Sequence, residues 1–203
     1  SAKLNDYKGY TKDKENDYKL VKDLWKILDA ADVVISHNGL EFDSKKTNAR
    51  FLYHGMTPPK PYVTIDTLQI AKKYFKFNSN KLNDLGIHLN LGKKLKHNGF
   101  ETWLGCMRGD KQSWEIMKKY NMKDVLLLEQ VYKKFLPYIQ NHPNLGLYMS
   151  KPCACPNCGE TKHLTKRGFA YTRFNVYQRI HCGGCGSWSR ARKAEEIVKP
   201  RIT

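Results

Sequence analysis

The chain has 203 residues and a formal charge of +17, from 36 Lys and Arg against 19 Asp and Glu. That length suits one medium domain with a small module attached, and both parts share the charge: +8 lies from Lys151 onward and +9 before it. No run of about 18 apolar residues exists, which excludes a readable membrane-spanning helix. The polar start Ser1–Asp6 carries no secretory signal core. A basic balance of this size, with 12 Tyr and 4 Trp, fits a phosphate-backbone partner.

In chain order, residues 1–16 are polar and offer at most short edge strands. Asp17 is placed to cap a helix in which Leu20, Val21, Leu24, Ile27 and Leu28 recur at helical spacing. Val33-Val34-Ile35 reads as a continuous apolar strand, of the kind covered on both faces. The Asn38-Gly39 turn then opens a helix over Asp43–Tyr53, with Asp43 in the first turn, where the helix dipole favours a carboxylate. After the stiff loop Thr57–Pro61, Tyr62–Ile65 reads as a second strand ending at Asp66-Thr67. Helices follow: one with Leu68, Ala71 and Phe75 inward, and one capped by Ser79 with Leu82, Leu85 and Leu89 inward. Residues 90–100 form a basic loop and Glu101–Met107 a short helix. Asp110 or Ser113 opens a long helix whose stripe holds Trp114, Met117, Tyr120, Asp124, Leu127, Val131 and Phe135. Strands alternating with helices predict an α/β layer fold with a largely parallel sheet over residues 1–145.

Two acidic positions stand out. Tyr120 and Asp124 are four apart on the long helix and so share a face, about 5–6 Å apart at Cβ. An Asp on an apolar stripe is expensive unless paired or bound to a cation. Asn38-Gly39-Leu40-Glu41-Phe42-Asp43 resembles the second motif of the DEDD 3′–5′ exonucleases, the ribonuclease H-like proofreading superfamily, and Tyr120-x-x-x-Asp124 resembles their third motif in its tyrosine form. Ile65–Leu68 and Ser79–Leu82 look like the segments between, in the right order. The nearest likeness is to phage-type proteins with a C-terminal zinc ribbon, and it runs from Ser1 to about Arg192. The resemblance implies Mg2+ or Mn2+ held by Asp43 and Asp124, with Tyr120 orienting the attacking water. It further implies that Asn38 shapes the loop or touches substrate, and that Lys81 and residues 93–97 meet phosphates. It also implies a place in the cytoplasm of a bacterial or phage-infected cell.

The family's first motif is Asp-x-Glu on a central strand, and it holds both metals. Asp13-Lys14-Glu15 has the spelling but no apolar strand around it. The motif is therefore expected upstream of Ser1, in a longer product or on a second polypeptide that supplies the strand, and this chain alone is expected to be inactive or nearly so.

From the linker 144–152 the composition changes. Cys155-Pro156-Asn157-Cys158-Gly159 and Cys182-Gly183-Gly184-Cys185-Gly186 are two knuckles around a predicted hairpin of residues 164–172 and 175–180. This spacing predicts a structural Zn2+ held by four cysteines in a zinc ribbon over residues 152–192. Cys153 offers a second register in place of Cys155, and His163 and His181 are weaker substitutes. Arg167, Arg173, Arg179, Arg190 and Arg192 are candidate phosphate contacts, whereas Tyr177 and Trp188 are expected to fill the small core. The leading function is a metal-dependent 3′–5′ exonuclease acting on nucleic acid, DNA in the first instance. The alternative is a non-catalytic nucleic-acid-binding zinc-ribbon protein derived from the same fold.

Overall fold

The computed structural model describes residues 16–92, 99–151, 153–191 and 193. Asp13-Lys14-Glu15, the loop 93–97 and Arg192 lie outside them. The chain divides into two compact units, residues 1–132 and 133–203.

In the first unit, helix α1 (Tyr18–Asp29) leads into strand β1 (Val33–Ser36), helix α2 (Asp43–Tyr53), strand β2 (Val63–Asp66) and helix α3 (Thr67–Tyr74). β1 and β2 pair in parallel, Val33 with Val63 through Ser36 with Asp66, so the two strands end side by side. Equal ends on a parallel pair bring the two following turns together, and this builds the acidic site described below. Helices α4 (Leu82–His88), α5 (Phe100–Arg108) and α6 (Lys111–Phe135) complete the unit. α4 meets α6 where Gly86 lies against Leu127; a Cβ on Gly86 would stand 2.8 Å from a Leu127 methyl. Asp110 caps α6, accepting the Ser113 N–H at 2.8 Å. The apolar stripe of α6 turns inward as its period requires, with Leu127, Val131 and Phe135 buried. Asp17 stands at the head of α1 but does not cap it; its carboxylate instead takes the Arg50 Nε–H at 2.7 Å and the His54 Nε2–H at 2.7 Å, tying α1 to α2.

The second unit takes in the end of α6, a 3-10 turn (Leu136–Tyr138), a short helix α7 (Leu145–Tyr148) and an antiparallel sheet of β3 (Leu164–Tyr171), β4 (Val176–Cys182) and β5 (Trp188–Arg190). The Asn157 amide explains why residues 133–139 belong here: buried, it donates to the Leu136 carbonyl at 2.9 Å and to the Ser187 hydroxyl at 3.1 Å. No helix among the described residues is long and apolar enough to cross a membrane.

Candidate metal centres and the acidic turn

The turn after β1 is built from backbone up. Asn38 takes a left-handed conformation at φ 67°, which Asn tolerates better than most residues. Gly39 is buried, and a Cβ there would stand 2.4 Å from both Cβ and Oγ of Ser36, so only glycine fits. The loop closes through Phe42 N–H to Asn38 O at 3.1 Å and Ser44 N–H to Gly39 O at 2.8 Å. Asp43 thereby enters the first turn of α2, with Oδ2 3.6 Å from the point a Gly39 Cβ would occupy. Its side chain is exposed, while the neighbouring Glu41 pairs with Lys45 at the surface.

A second acidic residue holds this turn. Asp66, only 4% exposed, accepts from Asn38 N–H at 2.9 Å, Leu40 N–H at 3.3 Å and Leu68 N–H at 2.9 Å. One carboxylate thus caps α3 and fixes the Asn38–Leu40 backbone of the other strand's turn. Thr67 beside it is fully buried and donates its hydroxyl proton to Ser36 O at 2.9 Å. A hydroxyl has one proton to give, so His37 Nδ1–H is the donor in its 2.9 Å contact with Thr67 Oγ1. The spelling Asp66-Thr67 reads from sequence only as a strand end; what it lacks is any sign that Asp66 reaches 28 residues back along the chain. The signal available was a carboxylate at the end of an apolar strand, where burial demands several donors.

Tyr120 and Asp124 lie on the half-buried side of α6, and one Asp124 oxygen, Oδ1, is shielded from solvent. The Ser36 Oγ is also buried and makes no hydrogen bond. A carboxylate oxygen such as those of Asp124 suits a hard cation. Among the described residues, however, neither Asp43 nor Asp124 belongs to a group of three metal-ligating side chains. Lys81 is at the N-cap position of α4 and exposed; Arg167, Arg173 and Arg190 are exposed on the β3–β5 sheet and its hairpin tip.

The cysteine site is complete in itself. The Sγ atoms of Cys155, Cys158, Cys182 and Cys185 all lie within 4.8 Å of one another, with Cys155–Cys185 and Cys158–Cys182 each 3.7 Å apart. A tetrahedral ion with metal–sulfur bonds of about 2.3 Å would set its sulfurs about 3.8 Å apart, so four thiolates at this spacing fit one. Gly159 (φ 74°) and Gly186 (φ 78°) turn the backbone after each pair. Burial pushes the Cys155 thiol up to about 11 and the Cys158 thiol higher still, so these sulfurs ionise only with a cation to hold. Burial opposes ionisation of Cys185 too, but Ser187, 3.1 Å from its sulfur, turns the balance and lowers it. Cys153, exposed, lies outside the group, as do His163 and the half-buried His181, which favours the register with Cys155.

One expectation is corrected. Trp188 does not fill a core: it is 51% exposed, and Tyr177 is half-buried beneath the Arg190 guanidinium, 4.5 Å from its ring. A single three-stranded sheet, whose β5 has only three residues, encloses no second large ring, and the buried residues of this unit include instead Phe135, Leu136 and the cysteines Cys155 and Cys182.

No curated protein and no solved structure matches the chain significantly. The RNase_H_2 family model matches residues 1–136, spanning the parallel strands, the acidic turn and the whole of the α6 stripe: the chain belongs to the RNase H superfamily.

Proposed function

We propose that this chain is the larger part of a 3′–5′ exonuclease that hydrolyses phosphodiester bonds of DNA with Mg2+ or Mn2+. The superfamily match over residues 1–136 carries the reading, because RNase H-like nucleases act on nucleic acid and generally use these ions. In this reading Asp43 and Asp124 are metal ligands and Tyr120 holds the attacking water by its hydroxyl. Bound ions would supply the activated water and stabilise the leaving oxygen. The work of the chain's own residues is positional: Asp66 fixes the turn that presents Asp43, and the α6 stripe fixes Tyr120 and Asp124 one helical turn apart. Asn38 shapes the turn, Lys81 and the arginines of the sheet meet phosphates, and the four cysteines hold Zn2+ as a closed structural site in a zinc ribbon.

Two carboxylates are few for two divalent ions, and β1 and β2 pair only with each other among the described residues. An added strand bearing an Asp-x-Glu pair, from a preceding segment or a second polypeptide, completes the site in this proposal. The test is incubation of the purified chain with 3′-labelled single-stranded DNA and Mn2+. The expected result is little or no release of label, and release once the acidic strand is supplied. Robust degradation by the chain alone, abolished in Asp124→Ala, would show that 203 residues suffice. The non-catalytic alternative is favoured if no added strand ever restores cleavage while DNA is still bound.

A further inference from the structure

The sheet β3–β5 has one face whose side chains are set out like a strand-binding platform. Residues directly opposite on paired strands share a face, so Arg179 with Arg190 and His181 with Trp188 lie on one side, together with Tyr177 two residues along β4. The side chains interleave. The Arg190 guanidinium stands 4.5 Å from the centre of the Tyr177 ring and that of Arg179 stands 5.9 Å from Trp188, while the His181 and Trp188 rings are 4.8 Å apart. At the hairpin tip the motif recurs: Arg173 lies 5.4 Å from the Phe174 ring, and Phe174 is 73% exposed.

Two features of this face carry a cost that the ring contacts offset only in part. Arg179 and Arg190 are like charges placed directly opposite each other across two strands, an arrangement that destabilises a sheet. From Thr161 to Lys193 the sequence holds eight Lys and Arg and not one Asp or Glu, so the segment itself offers no carboxylate to neutralise them. In addition, a large ring, Trp188, is left half in water beside them. An anion between the guanidinium groups relieves the first cost, and a flat apolar ring laid on Trp188 relieves the second. Phosphate and base, joined, supply both. A base offers its face to a side chain only when it is not stacked within a duplex.

We propose that the Tyr177–Arg179–Trp188–Arg190 face, with the Arg173–Phe174 tip, binds single-stranded DNA, the guanidinium groups taking phosphates and Trp188 stacking on a base. This deepens the nuclease reading by giving its substrate a strandedness. It is tested by binding, so that it can fail or hold independently of cleavage.

The experiment measures fluorescence anisotropy of a labelled oligo-dT against the zinc-loaded 203-residue chain without Mg2+ or Mn2+, across a salt series. Expected are tighter binding to oligo-dT than to a duplex of equal length and quenching of tryptophan emission. Trp188→Ala should weaken binding roughly 5- to 150-fold, with Trp188→Phe restoring part of it. Arg179→Gln and Arg190→Gln should each reduce the slope of log affinity on log salt by about 0.7. Zinc content and thermal melting of each variant identify any that fail to fold; the exposed arginine variants are the ones expected to remain folded, and they decide the matter if Trp188→Ala does not. Equal binding of duplex, unchanged oligo-dT binding in both arginine variants, binding of a ribo-oligomer alone, or binding of anionic lipid vesicles without DNA would each overturn the proposal. Absence of cleavage even when the acidic strand and Mn2+ are supplied, with oligo-dT binding intact and weakened by the arginine variants, would sink the nuclease reading and leave the binding face standing.

Discussion

The cysteine cluster and the acidic turn are, in our reading, both metal sites, and they are assembled in opposite ways. The cluster draws four sulfurs from 31 residues of chain, 155–185, through two glycine-ended knuckles joined by one hairpin. Every ligand is brought by local backbone geometry, and the group closes within 4.8 Å without help from the other unit. The acidic turn draws Asp43 from one strand end, is held by Asp66 from the next, and depends in our reading on Asp124, 81 residues beyond Asp43. A site made of near neighbours can be self-contained. One made of distant elements needs a scaffold to align them, and stays open to substrate and to further ligands. This is the physical difference between a structural ion and a catalytic one.

The largest effect that would break the contrast is removal of a sulfur. Cys182→Ser is expected to abolish zinc binding, from one ion per chain to none by elemental analysis, and to unfold residues 153–191 while leaving the melting of the first unit in place. In the zinc-ribbon reading, a small sheet with so little apolar interior would draw its folding free energy from the metal. Retention of a folded sheet in the stripped chain, seen by hydrogen exchange over β3–β5, would show that the cluster is not structural.

Next in size is Asp66. Asp66→Ala removes a buried acceptor from three backbone N–H groups and should destabilise the first unit by about 3 kcal/mol or more, since each buried donor left unsatisfied costs about 1–3 kcal/mol. Asp66→Asn keeps an oxygen for Asn38 and Leu68 and should cost less than half as much. Equal losses in the two variants, measured by urea unfolding, would mean that burial of the side chain matters and its hydrogen bonds do not. Gly39→Ala is expected to follow at about 1–3 kcal/mol, because the new methyl meets Ser36 at 2.4 Å and must displace the turn. In a chain supplied with the acidic strand, the same substitution should lower cleavage more than it lowers DNA binding.

Sequence and structure agree best where the determinants are local. The helices of the stripe, both strands of the parallel pair, the hairpin and all four cysteines follow from period, turn chemistry and spacing, which act within a few residues. Asp66 was legible only as a strand end, because its partners are backbone N–H groups 26 and 28 residues away and any residue type could have supplied them. β5 escaped notice for a related reason: three residues, Trp188–Arg190, form a strand only because β4 is there to pair with. Trp188 reads as core from sequence and is half exposed in the structure, because hydrophobicity says that a ring prefers burial and cannot say whether a sheet of this size has an interior to bury it in.

The smallest expected effect tests the junction between α1 and the C-terminal end of α2. Asp17 joins α1 to α2 through Arg50 and His54, and Arg50's hydrogen bonds hold its carboxyl below the ordinary value of 3.8 against the opposing pull of burial, with His54 adding to the shift. A carboxyl depressed in the folded state contributes stability that is present above its unfolded value and disappears as the pH falls through the folded one. Because the pair is partly solvated, its worth is at most about 1 kcal/mol. Asp17→Asn should therefore melt slightly below the parent at pH 6, with the gap narrowing as the pH falls below 3.8 and closing only once it has passed the lowered folded value. A gap that stays constant from pH 6 to pH 3 would assign the contribution of Asp17 to shape and neutral hydrogen bonding. The α1–α2 junction would then carry no charge dependence, and α2, which begins at Asp43, would be held at its far end by contacts indifferent to pH.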